Sequence, residues 1–369
     1  MPTSQNGTGI PSQKQMAYDN YGKPEWALEP GGLITHFKHD IATGALVERI
    51  DDADLAQMSE DAPAGWTTLE SGGAHLVTSI ENDLLGRPLR ELGPPHEVQL
   101  EECDSAPIML RTVRYTVYRD DLHEVRHCQG YARGTAPNYD YLTMGPVRLT
   151  RMDASGRLVD EIEARRLCDA GPLSSTEEFT QDRWTRWTHN VLDTWGRVRA
   201  VRVYFKIPED GEGFKNEHYN ETRYDYDSMG RQNRVVSPGG TITRQVFNAL
   251  GWVLSEWVGT NDTGATESNP AGSGGSNNMV KVLTNEYDNG QSGGNGLLTK
   301  MTRHVDADSG NDRITLYSYD GEDRLIETET SDGTEQFIEK RGYDNLGRLQ
   351  TVTRYKDSVA DANRIAHTL

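Results

Sequence analysis

A short pattern, Tyr-Asp-x-x-Gly followed by Arg or Lys, recurs along this chain and constrains its fold more than any other feature. Complete copies occupy 18–23, 226–231 and 343–348, and weaker copies keep the spacing while changing one residue. Repetition of one small unit predicts a stacked architecture built from neighbouring repeats. The candidate turn residues are Tyr18, Asp19, Gly22, Asp83, Gly86, Arg87, Asp153, Gly156, Arg157, Asp193, Gly196, Arg197, Tyr226, Asp227, Gly230, Arg231, Tyr319, Asp320, Tyr343, Asp344, Gly347 and Arg348.

The spacing of the aspartates supports a single repeat. The intervals from Asp19 to Asp40 and from Asp227 to Asn248 are both 21 residues, and that from Asp320 to Asp344 is 24. Other intervals are close to twice this length, which indicates a degenerate copy between two clearer ones. The sequence therefore predicts a period of about 20 residues.

Each repeat is predicted to be a β-hairpin whose tip is the motif. The Tyr ends an incoming strand, where aromatic residues pack well on a pleated surface. Asp bonds backbone N–H groups two residues on, and Gly supplies the positive φ of a tight turn. The following Arg or Lys opens the return strand, where it can pair with the Asp or stack on a Tyr.

These residues resemble the rearrangement-hotspot (RHS) or tyrosine-aspartate (YD) repeat family. The resemblance rests on 343–349, on 226–231 and on the variant Asp40-Ile41-Ala42-Thr43-Gly44. It implies an all-β fold in which repeated antiparallel hairpins form a spiralling ribbon or partial hollow shell. Relatives are secreted, cell-surface or toxin-delivery proteins, so the resemblance implies an architecture and a loose set of functions. The Asp-Pro-x-Gly core signature of the toxin-carrying branch is missing from this sequence, which we interpret as a segment of a longer protein or a cap-less relative.

Composition excludes several classes of function. A net charge of −19 disfavours nucleic acid, which requires a basic face. The apolar share of 35% is thin for one compact core of 369 residues, and no apolar run reaches the roughly 20 residues that cross a bilayer. Three cysteines, Cys103, Cys128 and Cys168, are too few for a disulfide framework.

The organisation along the chain is predicted to be uneven. Residues 1–15 form a disordered polar tail, and 16–110 hold degenerate repeats with loops, including an irregular loop at Pro94-Pro95. Residues 111–258 and 279–369 are regions of repeat sheet, the second ending in a truncated repeat. The Gly/Ser/Asn-rich segment 259–278 is predicted to be a flexible insertion at the surface.

The sharpest competing motif is His123-Glu124-Val125-Arg126-His127, which matches the zincin pattern. On a helix, His123 and His127 would bind zinc while Glu124 serves as the general base. Arg133 stands where the longer form of the motif expects its third ligand, and the flanks alternate like strands. We expect a strand with two surface histidines and keep the zinc metallohydrolase as a remote alternative.

Two further patterns indicate binding sites more weakly. Asp306, Asp308, Gly310 and Asp312 resemble the start of a calcium loop, but Tyr317 replaces its final Glu. Trp184 and Trp187 offer a sugar- or partner-binding strip, yet on a regular strand they would point to opposite faces.

The sequence predicts a non-enzymatic structural or interaction protein, with no catalytic residue, cofactor or metal. Its partner is a protein or carbohydrate at a surface, and it is located at the cell surface or outside the cell, with an alternative cytoplasmic stage before export. The alternative function is a shell segment that encloses a C-terminal toxic polypeptide, which would then be the partner. No membrane insertion is expected.

Overall fold

Antiparallel strands joined in sequence order make up the described part of this protein, which confirms the all-β hairpin prediction. The structure, a computed structural model, describes residues 13–70, 72–99, 107–273, 275–291 and 294–368. The chain divides into two compact units. Unit 1 contains residues up to Asn190 with Val203–Tyr219, and unit 2 contains Val191–Arg202 with the residues from Asn220 onward.

Each strand of unit 1 pairs with the next along the chain. The strands are β1 (Gln15–Tyr18), β2 (Pro24–Leu28), β3 (Ile34–His39), β4 (Leu46–Asp51), β5 (Leu76–Asn82), β6 (Pro88–Val98), β7 (Ile108–Arg119), β8 (Glu124–Thr135), β9 (Asn138–Met152), β10 (Leu158–Ala164) and β11 (Trp184–Leu192), which ends in unit 2. All pairings from β1–β2 through β10–β11 are antiparallel.

Unit 2 follows the same rule. Its strands are the first part of β12 (Val198–Tyr204), then β13 (Tyr219–Tyr226), β14 (Gln232–Val236), β15 (Ile242–Phe247), β16 (Val253–Gly259), β17 (Val280–Tyr287), β18 (Leu298–Arg303), β19 (Arg313–Tyr319), β20 (Leu325–Ser331), β21 (Gln336–Tyr343), β22 (Leu349–Lys356) and β23 (Arg364–Thr368). Pairing from β13–β14 through β22–β23 is antiparallel throughout.

Helical structure in the described ranges is limited to three-residue 3-10 turns. They are Leu55–Gln57, Asp120–Leu122, Gln181–Arg183, Asp288–Gly290, Ser309–Asn311 and Asp361–Asn363. None of the helices described here has the length and apolar character needed to cross a membrane.

Sequential antiparallel pairing separates the connections into two sets within each unit. Connections that follow odd-numbered strands lie at one end of the strands, and those that follow even-numbered strands lie at the opposite end. We call these two sides of the sheet, where the strands end, its edges. The Tyr-Asp turns all follow odd-numbered strands, so we call their side the motif edge. The longest connections, among them 52–75 after β4, 165–183 after β10 and 260–279 after β16, follow even-numbered strands and define the loop edge. The ten-residue connection 288–297 after β17 is a lengthened turn of the motif edge.

The main core of unit 1 lies on one face of its long central strands. Tyr115, Leu149, Ile162 and Trp187 are buried there, and Phe179 covers them from the connection 165–183. A smaller cluster gathers Trp26, Ile34, Ile50 and Ala53 under the connection 52–75. Loops that fold back over one sheet face explain how a chain with 35% apolar residues still buries a core.

Pro94 and Pro95 lie inside β6, where the pairing register shifts between Leu92 and Pro95, so the irregular loop predicted there is wrong. Proline tolerates this position because a bulge removes the need for its N–H. The predicted tail falls largely on residues 1–12, outside the described residues, and β1 already begins at Gln15.

The insertion occupies 260–279, since β16 ends at Gly259 and β17 begins at Val280, and its flexibility stays a prediction. Cys128 and Cys168 are free thiols, the first buried and the second exposed, and Cys103 lies outside the described residues.

Candidate functional site: the motif edge

The turn at Asp227 shows how the motif closes a hairpin. The Asp227 N–H donates to the Arg231 carbonyl at 2.9 Å, and the Gly230 N–H donates to the Asp227 carbonyl at 2.9 Å. Oδ1 of Asp227 accepts from the N–H groups of Met229 and Arg231, at 3.0 and 2.8 Å. One carboxylate oxygen therefore satisfies two backbone donors that the tight turn leaves without a strand partner.

The second carboxylate oxygen holds the arginine that follows the glycine. Nε of Arg231 donates to Oδ2 of Asp227 at 2.6 Å. The same bond, at 2.7–2.8 Å, joins the remaining pairs, which are Arg87–Asp83, Arg157–Asp153, Arg197–Asp193, Arg324–Asp320 and Arg348–Asp344. Charge-assisted bonds of this length are short and directional, so each arginine leaves its turn in a fixed direction.

The backbone of these turns favours glycine at its fourth position. Gly22, Gly86, Gly156, Gly196, Gly230 and Gly347 have φ between +77° and +83°. A Cβ added at Gly230 would also lie 3.4 Å from Nη1 of Arg197, the arginine of the preceding turn. The glycine thus allows the positive φ of its own turn and leaves space for the side chain of Arg197.

The motif arginine also reaches the aromatic residue of the next turn. Its guanidinium carbon lies 4.1 to 5.1 Å from the following ring centroid in four pairs, which are Arg87–Tyr118, Arg197–Tyr226, Arg231–Phe247 and Arg324–Tyr343. The tyrosine hydroxyl then donates to a carbonyl of the preceding hairpin, as Tyr226 does to Val198 at 2.8 Å and Tyr343 to Leu325 at 2.9 Å. Tyr319 makes the same bond to Leu298 at 2.9 Å. The motif therefore closes one hairpin and fastens it to the next.

Variant copies keep the turn with different chemistry. Asn248 accepts from the Leu250 and Trp252 N–H groups at 3.0 and 2.9 Å, as an Asp would. Asp323 replaces the missing glycine of the Asp320 turn and adopts a φ of 60°. In the first turn Tyr18 is exposed, and Nζ of Lys23 donates to the Gly44 carbonyl of the second turn at 2.5 Å.

The turn carboxylates are held in their charged form. Hydrogen bonding from the Arg157 side chain and backbone lowers the pKa of Asp153 to about 2. Backbone hydrogen bonds from Lys23 and Thr43 likewise lower the pKa of Asp19 and Asp40, respectively. Hydrogen bonding to the ionised form is the physical cause, so the motif edge keeps its negative charges at neutral pH.

Large apolar side chains stand exposed at the tips of these turns. Leu84 is 96% exposed, Ile41 81% and Leu346 76%. The other exposed tip residues are Tyr21, Leu85, Leu122, Trp195, Met229 and Leu250. Apolar residues at hairpin tips contribute nothing to a core, so they are free for contact with another molecule.

The zincin geometry is not formed by His123, Glu124 and His127. His123 has a φ of 49° in the turn between β7 and β8, and the other two residues lie on strand β8. Glu124 faces the core while His127 lies on the other strand face, next to the Thr116 hydroxyl at 3.2 Å. No group of three or more metal-ligating side chains gathers within the described residues.

Glu124 instead holds a buried ionic cluster that the sequence analysis missed. Nε of Arg126 donates to its Oε1 at 2.6 Å, and Nε of Arg151 donates to its Oε2 at 2.7 Å. Glu124 and Arg126 are each only 2% exposed. The alternation of Glu124, Arg126 and Cys128 on one strand face was the available signal. The charges of Glu124 and Arg126 made this face look exposed to solvent, although it is buried.

Trp184 and Trp187 lie on the same face, so the prediction of opposite faces is wrong. Trp187 pairs with Ile162 and Trp184 with Ala164, and the register shift between Glu163 and Ala164 adds one residue to β11. This bulge brings the two rings to a centroid distance of 5.0 Å. Trp187 is buried against Tyr204, which removes it from any binding strip.

The acidic segment that resembles a calcium loop forms an ordinary turn. Asp308 accepts from the Gly310 N–H at 2.9 Å, and Oδ2 of Asp312 lies 2.9 Å from Nδ1 of His304. These carboxylates therefore make hydrogen bonds within the connection between β18 and β19.

Comparison with known proteins finds similar chains only among solved structures. No family model and no curated protein matches it. Solved chains similar to it come from the crystal structures of TcdB2-TccC3-Cdc42 and TcdB2-TccC3-TEV, at 14% and 13% identity, 94% coverage of this chain and a TM-score of 0.34. A chain of the Photorhabdus luminescens Tc holotoxin pore is similar over 96% of this chain at 12% identity and a TM-score of 0.34. This chain spans 18% of the length of each of these solved chains.

Proposed function

We propose that this chain is a non-enzymatic structural and interaction protein of the YD-repeat type. Its sheet is the scaffold, and its two edges carry the surfaces that partners contact. It acts at the cell surface or in the extracellular space, on a protein or carbohydrate partner.

One observation carries this proposal: within each unit, contacts join neighbouring turns of the motif edge, while the longest connections emerge at the loop edge. In unit 2, Arg231 reaches the Asn248 carbonyl of the next turn at 2.7 Å, so consecutive hairpins are tied in series. A fold maintained by such local ties tolerates variable loops, as scaffolds with binding loops do.

The connection 260–279 illustrates how a loop is mounted. Asp262 receives Nε of Arg234 and Nη1 of Arg244, both at 2.6 Å, which anchors the start of the loop on its own unit. Oε1 of Glu267 accepts from the Ser228 N–H at 2.8 Å, at the tip of a Tyr-Asp turn. Residues beyond these anchors are mainly small and polar, a composition that suits adaptable surface contacts.

The proposal is tested by locating the native protein. Source cells are separated into cytoplasmic, envelope and extracellular fractions, and the intact species is identified by mass spectrometry. Recovery in the envelope or medium as one uncleaved polypeptide supports the surface role. Recovery only in the cytoplasm overturns it, and a separate cleaved C-terminal fragment retained with the chain favours the shell that encloses a toxic polypeptide.

A further inference from the structure

Unit 1 presents a continuous row of apolar tips along its motif edge. We define the apex strip as Tyr21, Ile41, Leu84, Leu85 and Leu122, which stand on the four turns that follow β1, β3, β5 and β7. Every member is exposed to solvent, although large apolar side chains are normally withdrawn from water.

The four turns that carry the apex strip touch one another. Lys23 binds the Gly44 carbonyl, which joins the first turn to the second. A Cβ at Gly86 would lie 3.3 Å from those of Thr43 and Ala45, so the second and third turns are in close contact. Arg87 donates to both carboxylate oxygens of Asp120, at 2.8 and 2.9 Å, and thereby joins the third turn to the fourth.

A regular spacing follows from the strand pairing. Successive turns at one edge are separated by two inter-strand distances, about 9.6 Å, so four turns span roughly 29 Å. An α-helix repeats the same face every seven residues, which is a rise of about 10.5 Å. A helix with one apolar residue per heptad therefore matches the apex strip in period.

The space between the first two tips is acidic. A groove of about 360 Å³ is lined by Tyr21 and Ile41, by the three carboxylates Asp19, Glu25 and Asp40, and by Lys23 and His39. Its three carboxylates outnumber its one lysine, whose Nζ is bound to the Gly44 carbonyl. Asp19 and Asp40 use Oδ1 for their turn bonds, and among the described residues neither Oδ2 atom has a hydrogen-bond donor. The stem of a long cationic side chain can pack on the two apolar tips while its charge meets these carboxylates.

The negative net charge of the chain favours a basic partner. The chain carries −19 overall, so a second copy, an anionic membrane and a nucleic acid would all be repelled. A basic polypeptide is attracted by the same field. Its flanking Lys or Arg residues can lie beside an apolar stripe, in the arrangement of a basic amphipathic helix.

We propose that the apex strip of unit 1 is a docking site for a basic amphipathic helix with apolar residues at heptad spacing. Tyr21, Ile41 and Leu85 interdigitate with the apolar stripe, and Asp19 and Asp40 bind its flanking cations. This inference rests on the proposed interaction function and specifies the chemistry of one partner.

The test uses the full chain and a labelled synthetic helix of three heptads, with Leu at the apolar positions and Lys beside them. We expect saturable one-to-one binding by fluorescence anisotropy, weakened at least tenfold in the double variant Ile41→Ser and Leu85→Ser. Both side chains are exposed, so an unchanged melting curve shows that the variant is folded. Leu346→Ser is the matched control, since it removes an exposed tip residue in unit 2 and leaves binding unchanged.

A second variant tests the charge component. Asp19→Asn with Asp40→Asn keeps the turns, because Asn248 already closes such a turn in this chain. We expect weaker binding with a flatter dependence on salt concentration.

Three outcomes would overturn the proposal. They are equal binding of a peptide with Glu in place of Lys, equal binding of a proline-rich extended peptide, and equal binding of the original helix by the Ile41/Leu85 variant. These readouts are independent of cell fractionation, so a failure here leaves the proposed function to its own test.

Discussion

The guanidinium carbon of Arg197 lies 4.2 Å from the centroid of the Tyr226 ring, and the Tyr226 hydroxyl donates to the carbonyl of Val198. Because Nε of Arg197 is bound to Asp193, one arginine closes its own turn and covers the tyrosine of the next. The repeated motif is thus a linkage between hairpins as much as a turn signal.

This linkage predicts the effect of Tyr226→Phe. The variant keeps the ring under Arg197 but loses the 2.8 Å bond to Val198, so we expect unfolding free energy to fall by about 1 kcal/mol. Urea denaturation followed by circular dichroism measures it. Tyr21→Phe, at an exposed tip, is the control and should leave stability unchanged; an equal loss in both variants would contradict the linkage.

Gly230→Ala tests the positive φ of the turn. At +81° an added Cβ is strained, and we expect a loss of about 1 kcal/mol in unfolding free energy. Gly239→Ala is the matched control, because Gly239 is not among the positive-φ glycines and its nearest neighbour is 4.0 Å away. Gly347→Val should behave as Gly230→Ala does, and a melting curve unaffected by either variant would refute the strain.

Glu124→Gln removes the charge at the centre of a buried cluster. Arg126 would then be left buried without its carboxylate, and we expect a loss of about 3 to 5 kcal/mol. Glu161→Gln, on an exposed strand position, should change stability by less than about 0.5 kcal/mol. A zinc hydrolase would behave differently, since the same change would abolish hydrolysis while leaving the melting temperature intact.

Acid should weaken the turns of the motif edge. The pKa of Asp153 is lowered to about 2 by its bonds from Arg157, below its value of 3.8 in a model compound. A depressed pKa in the folded state contributes stability above the unfolded value, and this contribution is lost as pH falls through about 2. Melting temperatures from pH 5 to pH 2 should therefore fall less steeply for Asp153→Asn than for the parent chain, and parallel curves would exclude this contribution.

The two described thiols should differ in reactivity. Burial raises the pKa of Cys128, whereas Cys168 is exposed. With Cys103 replaced by Ser, we expect one thiol to react with Ellman's reagent in the native protein and a second only after unfolding. Mass spectrometry of the labelled peptide should locate the first at Cys168; rapid native labelling of Cys128 would contradict its burial.

Sequence reasoning reached the local chemistry of the turns, because Asp227 and Gly230 act within a few residues of each other. It could not predict side-chain contacts that depend on the pairing register of neighbouring strands. The face shared by Trp184 and Trp187 depends on a bulge in β11 that no residue in the stretch announces. The same holds for Glu124, whose partner Arg151 is 27 residues away. The sequence predicts that a motif arginine stacks on a tyrosine, but the choice of Tyr226 as the partner of Arg197 depends on how the hairpins pair.

The separation of the motif edge from the loop edge has a consequence for how such chains change in evolution. An insertion after an even-numbered strand lengthens a loop and leaves the arginine-to-tyrosine links untouched. An insertion in a Tyr-Asp turn would displace the arginine that covers the next hairpin. Duplication or deletion should therefore proceed by whole pairs of strands, with recombination points in the even-to-odd connections, and length variation among related sequences should concentrate there.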